Sequence, residues 1–403
     1  MNTDDQNTIT HRAALVKAFI SSLYEHLDDT VQAIVADGWP EAMVRCGLEL
    51  HRRTWNVDAI LAALELELSG FGGLAALDGF SAPTQNAMEL RFRAFKPGKV
   101  IHIWPALPGA GLTPVLIGWL LGITQVVRPS SRGTYFAEYL QRVSREVMRP
   151  HVQELELVFG SMDSAWRDAD AVLVSGSDDT LNTLHEFLGR PAHRKGPVMI
   201  GYGHRVSFAL IVDDGSDQAM AQAALCAQDA VMWHQQGCFS ARSVIFCGPR
   251  SRGVEFATRL GDAIAFYEAQ WGAQSLDPAL LASRAQAKGM AELIGTAYGD
   301  GIGWAQMVNT PWRGQQISPH VLSVHTTTEL ERVPDLVQVP VTQLQGAALY
   351  APRSMQRICA EKLATLGVTR ICKPGMLQSP GPGWIHDGQP NILDLLRFTQ
   401  HEL

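Results

Sequence analysis

Residues 170–188 read DAVLVSGSDDTLNTLHEFL, and the pattern of this segment changes halfway along it. The first half is a short apolar run with β-branched residues, which is typical of a buried strand. The second half spaces its apolar residues as a helix does, and Gly176 lies between the two halves. The segment therefore predicts a strand, a tight turn and a helix in succession.

The turn of this unit is a candidate cofactor site. Ser175, Gly176 and Ser177 lie where the predicted strand ends and the helix begins. Backbone N–H groups and the dipole at a helix N-terminus favour an anion, although the full GxGxxG pattern is absent. In the alternative interpretation, Asp178 and Asp179 cap the helix and no ligand is bound.

The same alternation of patterns continues on both sides of this unit. Short apolar runs alternate with segments of helical periodicity, such as TYFAEYLQRVSREV at 134–147. This alternation predicts an α/β fold with a mostly parallel sheet, and such sheets bind ligands at the carboxyl ends of their strands. The predicted strands nearest the unit are KVIHIW (99–104), TQVVRPSS (124–131), PVMIGYG (197–203) and VSFALIV (206–212).

The uncharged segment GAGLTPVLIGWLLGITQVV at 109–127 has about the length that a membrane span needs. Its glycine, threonine and proline residues favour a short helix instead, with Thr113 as N-cap and Pro114 as the first helical residue. Gly122 would end this helix, and a buried strand over 125–128 would follow. We therefore predict no membrane span.

Polar side chains follow that strand. Arg128, Ser130 and Ser131 come at its end, and Arg132 is next in the chain. Arginine binds phosphate through two parallel hydrogen bonds, and serine hydroxyls add further donors. These residues are a second candidate for cofactor binding.

The segment HQQGCFSARSVIF at 234–246 contains a candidate nucleophile. The residues before it, at 217–233, have helical periodicity, and SVIFCG at 243–248 predicts a strand, so Cys238 lies on a helix-to-strand loop. Most unpaired cysteines are small core residues, but a loop position favours chemistry. His234 and His204 are candidates for proton transfer or for thiolate support, and structural hydrogen bonding is the alternative for both.

The composition limits the class of function. A chain of 403 residues predicts two domains, and its net charge of −7 argues against non-specific binding of nucleic acid. The six cysteines show neither CxxC spacing nor a zinc pattern with histidine, so we expect no metal site. The N-terminal residues lack the pattern of a signal peptide, and we expect a cytoplasmic protein with reduced thiols.

The segments GSDDTL, GYGHRVSFALIV and QQGCFS, with WIHDG and LLRF near the end, resemble the LuxC-type acyl-CoA reductases. This family is a branch of the aldehyde dehydrogenase superfamily, and the resemblance covers roughly residues 95–403. It implies an aldehyde-dehydrogenase-like α/β fold, with a Rossmann-type cofactor domain and an α/β catalytic domain. The expected segments are a mainly helical part at 1–95, the cofactor domain at 96–214, the catalytic domain at 215–365 and a segment at 366–403 that returns to the domain interface.

The resemblance also implies an activity. Members reduce an acyl thioester, carried by CoA or by an acyl carrier protein, to an aldehyde with NADPH. Cys238 matches the nucleophile of the family, and the Ser175–Ser177 and Arg128–Ser131 segments match its cofactor positions. We expect a homo-oligomer or a member of a biosynthetic complex.

Two departures from the superfamily pattern are visible. The asparagine that helps to stabilise the oxyanion is replaced in the region of Ala106 and Leu107, so backbone N–H groups such as that of Cys238 would carry this task. The glutamate base of the hydrolytic members is matched by Gly201, which favours a long-lived acyl-enzyme. The alternative functions are an acyltransferase or thioesterase that uses Cys238 without a nicotinamide, and a non-catalytic acyl-binding partner in a biosynthetic complex.

Overall fold

The computed structural model describes residues 8–85, 89–148, 156–157, 169–188, 197–272 and 278–402. The chain divides into two compact units. The first unit contains Met1–Trp39, His51–Gly203 and Gly381–Leu403, and the second contains Pro40–Leu50 and His204–Pro380.

The strands are numbered in chain order. They are β1 (Leu90–Phe95), β2 (Lys99–Ile103), β3 (Thr124–Arg128), β4 (Glu156–Leu157), β5 (Ala171–Ser175), β6 (Val198–Tyr202), β7 (Val206–Val212), β8 (Ala241–Cys247), β9 (Ala297–Tyr298), β10 (Trp304–Met307), β11 (Val321–Thr327), β12 (Leu344–Tyr350), β13 (Arg370–Cys372) and β14 (Arg397–Glu402).

The α-helices are named by their residues. They are Ile9–Glu25, Leu27–Ala36, Glu41–Thr54, Val57–Glu67, Leu112–Leu121, Thr134–Met148, Asp178–Leu188, Asp217–Val231, Arg250–Trp271, Pro278–Leu293, Val333–Leu336 and Gln356–Thr365.

The first unit is built on a five-stranded sheet with the order β4-β3-β2-β5-β6, and all of its strand pairs are parallel. Its central strands are rich in valine and isoleucine because both faces of a parallel sheet are covered. Ile101, Val126 and Val172 form part of the buried cluster. A second, two-stranded sheet pairs β1 with β14 in antiparallel fashion.

The predicted strand, turn and helix over 170–188 are confirmed as β5 and the Asp178–Leu188 helix. The order of elements around them agrees with the predicted α/β fold. Helices alternate with the strands because two parallel strands can be joined only by a connection that returns over the sheet.

The helix predicted from Pro114 begins earlier than expected. It spans Leu112–Leu121, so Thr113 is inside its first turn and the prediction of Thr113 as N-cap was wrong. Leu112 is buried, and its N–H donates to the Gly109 carbonyl at 3.1 Å, which starts the turn ahead of Thr113. Gly122 ends the helix with φ of 69°, as predicted. Within the described ranges, no helix is long and apolar enough to cross a bilayer.

The second unit is built on a seven-stranded sheet with the order β13-β12-β7-β8-β11-β10-β9. Its strand pairs are parallel except for β9, which runs antiparallel to β10. All residues of the central strand β7 are buried. The Asp217–Val231 helix and β8 enclose the segment that contains Cys238, as the sequence predicts.

Candidate active site

Cys238 lies on the loop between the Asp217–Val231 helix and β8, and its side chain is partly exposed. The Ser207 hydroxyl of β7 donates to the Cys238 carbonyl oxygen at 2.8 Å. The Gly346 N–H of β12 donates to the same hydroxyl at 3.0 Å. Two central strands of the second unit therefore hold the backbone of the loop.

The turn that precedes Cys238 is strained. Trp233, His234 and Gln235 have φ angles of 55°, 53° and 60°, in the left-handed region that non-glycine residues rarely adopt. Each such residue costs about 1–3 kcal/mol and persists only where its surroundings hold it. Strain of this kind clusters at functional sites, and here it directly precedes the candidate nucleophile.

His234 faces the interior of the second unit. Its ring stacks on that of His320 with a centroid distance of 5.4 Å, and its Nδ1 lies 3.4 Å from Nε2 of His320. Burial, with a smaller contribution from His320, lowers the pKa of His234 to about 4. The ring is therefore neutral near pH 7. The role of His234 as a direct proton carrier stays a prediction.

His204 is connected to Cys238 through a residue that the sequence did not single out. Arg242, on β8, donates from Nη1 to Nε2 of His204 at 3.2 Å. Burial lowers the pKa of Arg242, and the electrostatic interaction with Cys238 raises it. That interaction is reciprocal, so the guanidinium favours the thiolate form of Cys238. The sequence signal that could have identified Arg242 is its position four residues after Cys238.

The residues that follow Cys238 are held by β13 and by the loop after it, at 373–379. The Arg370 guanidinium lies 4.7 Å from the ring centroid of Phe239. Gln378 donates to the Ser240 hydroxyl at 3.1 Å and to the Asp229 carbonyl at 2.9 Å. These long-range contacts were not predicted from the sequence, since none of them lies within a single periodic segment.

The predicted cofactor residues belong to the first unit. Ser175 ends β5, and the Gly176 N–H donates to the Tyr202 carbonyl at 3.2 Å. The Ser177 hydroxyl accepts from the Thr180 N–H at 3.2 Å and so caps the helix. Asp178 and Asp179 lie inside the first turn, so the prediction that they cap the helix was wrong, and the anion site at this turn stays a prediction.

Arg128, Ser130 and Ser131 follow the carboxyl end of β3. Since β2 alone separates β3 from β5, both candidate segments lie at the same edge of the sheet. Arg128 is exposed. In the part of the chain that the structure describes, the buried Ser130 hydroxyl and the buried Trp104 indole N–H have no hydrogen-bond partner.

A cleft adjoins these groups. Its lining includes Trp104, Leu107, Pro129, Arg132 and Gly133. Buried polar atoms normally have partners, so two unsatisfied donors beside a cleft are suited to the polar groups of a ligand. Arg132, which contributes a positive charge to the lining, is a further candidate contact for a phosphate.

Gly201 lies on β6, where a side chain would meet the Asp178–Leu188 helix that precedes this strand. A Cβ at this position would lie 2.9 Å from Cδ2 of Leu181. The position therefore offers no carboxylate, and a side chain there would displace the Leu181 methyl group. Among the described residues, no group of histidine, cysteine and acidic side chains is arranged to hold a metal ion.

The fold of the chain is that of the aldehyde dehydrogenases. An NAD-dependent benzaldehyde dehydrogenase from Corynebacterium glutamicum matches 98% of this chain and 86% of its own, with 14% identity and a TM-score of 0.69. An aldehyde dehydrogenase from Pseudomonas aeruginosa matches 98% and 85%, with 15% identity and a TM-score of 0.68. At these identities the likeness concerns the fold, and the predicted aldehyde-dehydrogenase-like architecture is confirmed.

Relatives with similar sequences carry names that describe a reaction. The long-chain acyl-protein thioester reductase of Vibrio harveyi is 24% identical over 331 residues, which cover 78% of this chain and 66% of that protein. A second protein of that kind, from Photobacterium leiognathi, is 23% identical over 328 residues, with the same coverage. The matched region thus spans slightly less than two thirds of either relative. The family model for acyl-CoA reductase (LuxC) matches residues 6–398, and the chain therefore belongs to this family.

Proposed function

We propose that this chain is an acyl thioester reductase, which takes an acyl group onto Cys238 and releases it as an aldehyde with NADPH as reductant. The observation that carries the proposal is the position of Cys238, on a hydrogen-bonded loop where it interacts electrostatically with Arg242. Family membership and the reductase names of the relatives support the reaction type.

The residues of the second unit account for the acyl transfer. The Cys238 thiolate attacks the thioester carbonyl, the bond from that carbon to the leaving sulfur breaks, and the acyl group remains on Cys238. Arg242 stabilises the thiolate before the attack and again when the acyl group leaves. We assign the backbone N–H of Cys238 to the developing oxyanion, because Ala106 or Leu107 stands in place of the asparagine of the superfamily. When bound, NADPH would supply the hydride that reduces the acyl carbonyl.

The first unit has residues that fit such a cofactor. The unsatisfied Ser130 hydroxyl and Trp104 indole N–H beside the cleft are suited to its polar groups. Arg128 and Ser131 are exposed at the same strand end, where a guanidinium would bind a ribose phosphate. We keep Ser175, Gly176 and Ser177 as a second contact, although Asp178 and Asp179 disfavour a phosphate directly at that helix N-terminus. The phosphate contact is therefore assigned to the arginine segment.

The names of the relatives and of the family suggest two carriers for the acyl group. Those names specify a long-chain acyl group on a protein, whereas the family description specifies acyl-CoA. Both carriers present a thioester to Cys238 and differ only beyond the leaving sulfur. We therefore propose a long-chain acyl thioester as substrate, with acyl carrier protein and CoA as the two carriers to compare.

The absence of a base at Gly201 makes the proposal testable without turnover. A thioester hydrolyses quickly only where water is activated, and general-base catalysis contributes about 10²–10⁴-fold. Incubation with a long-chain acyl-CoA in the absence of NADPH should add the mass of one acyl group, as measured by intact-protein mass spectrometry. Added NADPH should remove this mass and release aldehyde.

Two variants control the experiment. Cys238→Ser should take up no acyl group and should still bind NADPH, because a serine hydroxyl is a poor nucleophile near neutral pH. Cys372→Ser, which removes another partly exposed thiol of the second unit, should behave as the wild type. Rapid loss of the adduct as free acid without NADPH would instead identify a thioesterase. Transfer of the acyl group to an added thiol, with no NADPH oxidation, would identify an acyltransferase.

A further inference from the structure

A row of buried ionisable side chains leads to the turn before Cys238. Arg284 is fully buried and donates to Oε1 of Glu268. The same oxygen lies 2.6 Å from Nδ1 of His320, and Nε2 of His320 lies 3.4 Å from Nδ1 of His234. All four side chains belong to the second unit, and they come from two helices, the residue just before β11 and the turn itself.

The chemistry of this row fixes the direction of its hydrogen bonds. Burial raises the pKa of Glu268, but the hydrogen bonds from His320 and Arg284 and the charge of Arg284 outweigh it, so the pKa is lowered overall. An ionised carboxylate only accepts, so Nδ1 of His320 carries the proton. Burial lowers the pKa of His320, so its ring is neutral and its Nε2 accepts from Nδ1–H of His234. The row thereby fixes the tautomer of His234.

His320 contacts the turn at a second point. Its backbone N–H donates to Oε1 of Gln235 at 2.6 Å, and Gln316 donates to the same oxygen at 2.9 Å. The Gln235 amide nitrogen donates to the Ala241 carbonyl at 2.6 Å. Gln235 and Ala241 lie on either side of Cys238 in the chain, so the Gln235 side chain closes the base of the loop that contains Cys238.

Stability alone is a poor explanation for the row. Burying an ion pair carries a large cost of desolvation, and apolar residues of similar volume often stabilise a protein as well or better. The left-handed turn at Trp233–Gln235 adds further cost, since strained backbone needs surroundings that over-determine it. The desolvation of the ion pair and the strain of the turn are both explained if the network orients side chains at a functional turn.

We propose that His320, held by the buried Glu268–Arg284 pair, is a positioning residue for the nucleophile, because it orients His234 and Gln235 in the turn that sets the position of Cys238. The role of Cys238 as nucleophile rests on the function proposed above. The positioning itself concerns the thiol and its loop, whichever reaction the thiol performs.

The test compares His320→Asn with His325→Asn. Asparagine tolerates the left-handed backbone of His320, where φ is 60°, but it is too short to reproduce both ring contacts. His325 is a buried histidine on β11, the strand that follows His320, and it bonds to Ser323 at 3.0 Å, so it is a matched control. Three quantities are measured: the iodoacetamide rate constant of Cys238, kcat with KM for thioester and NADPH, and the thermal midpoint.

We expect His320→Asn to lower both the alkylation rate and kcat by about 10- to 100-fold, because small displacements of a reacting group have effects of this size. The KM for NADPH should not change, and His325→Asn should stay within about twofold of the wild type. His234→Asn should cause a similar loss, and the double variant His234→Asn/His320→Asn should be no worse than either single variant, because the two residues act in series.

Equal losses in His320→Asn and His325→Asn would overturn the proposal, as would losses that multiply in the double variant. Should His320→Asn fail to fold, His234→Asn gives the same readout, and an unchanged alkylation rate there would refute the positioning role. The alkylation measurement needs no substrate. A wild type that forms no aldehyde, with the expected alkylation pattern in the variants, would therefore reject the proposed function and leave the positioning role standing.

Discussion

The Ser207 hydroxyl donates to the carbonyl oxygen of Cys238 at 2.8 Å, and this bond attaches the Cys238 loop to the seven-stranded sheet of the second unit. The hydroxyl also accepts the Gly346 N–H, and a Cβ at Gly346 would approach it to 2.8 Å. Gly346 thus leaves the space that the contact needs. One fully buried hydroxyl joins β7, β12 and the loop.

Ser207→Ala should lower the free energy of unfolding by about 1–3 kcal/mol, because a buried backbone donor and acceptor lose their shared partner. It should also lower kcat by about tenfold, since the loop loses an anchor next to the reacting sulfur. Ser243→Ala removes another buried hydroxyl, which accepts from Ser323 at 3.0 Å, and is the matched control for stability. Urea denaturation measures the free energy of unfolding of both variants, and steady-state kinetics measure their kcat. Equal kcat in the two variants would show that Ser207 acts on stability only.

Arg242→Gln should slow alkylation of Cys238 near neutral pH by about tenfold, since removal of the adjacent positive charge disfavours the thiolate. The rate should recover as the pH is raised, because a higher pH restores the thiolate without the guanidinium. Arg250→Gln, which removes an exposed arginine that donates to Asn309, should leave the profile unchanged. Iodoacetamide kinetics between pH 6 and 10 provide the measurement, and superimposable profiles for Arg242→Gln and the wild type would contradict the assignment.

Arg128→Ala should raise the KM for NADPH and spare the KM for NADH, because the 2′-phosphate belongs to only one of these cofactors. Loss of a bidentate phosphate contact is expected to raise the KM for NADPH by about 10-fold or more. Arg91→Ala, on β1, is the control. Steady-state kinetics with both cofactors decide the matter. Equal effects on NADPH and NADH would mean that Arg128 contacts the shared diphosphate or has a structural role.

Acid should destabilise the protein through its buried histidines. Burial lowers the pKa of His51, His102, His234 and His325 to about 4 in each case. An unfolded histidine binds a proton below about pH 6.5, so the unfolded state binds more protons than the folded state between pH 6.5 and 4. The contribution of the neutral rings to the free energy of unfolding is therefore fully present above pH 6.5. It is lost as the pH drops towards 4, by on the order of 3 kcal/mol for one fully buried ring.

His51→Phe tests this dependence. Phenylalanine can keep the stacking on Trp55, whose ring centroid lies 4.7 Å from that of His51, but it cannot take up a proton. The thermal midpoint of this variant should fall less steeply than that of the wild type between pH 6.5 and 4.5. Parallel pH profiles would show that His51 does not contribute to the acid sensitivity.

The fold was largely predictable because its signals are local. Apolar runs such as VSFALIV predict strands wherever a sheet is covered on both faces, and Gly122 predicts a helix end since it adopts a left-handed conformation. The position of Cys238 on a helix-to-strand loop followed from the same periodicities. The helix start at Leu112 was misplaced, because burial of Leu112 and its bond to Gly109 outweighed the capping preference of Thr113.

The sequence by itself thus determined the alternation of elements, the family resemblance and the identity of the candidate nucleophile, since each depends on residues close together in the chain. Tertiary structure alone decided what surrounds the thiol. Ser207 lies 31 residues from Cys238, and His320 lies 86 residues from His234, so no periodic pattern connects them. Parallel strands bring such residues together because each crossover returns the chain to the same edge of the sheet, and contacts between side chains from different crossovers are set only when the sheet has formed.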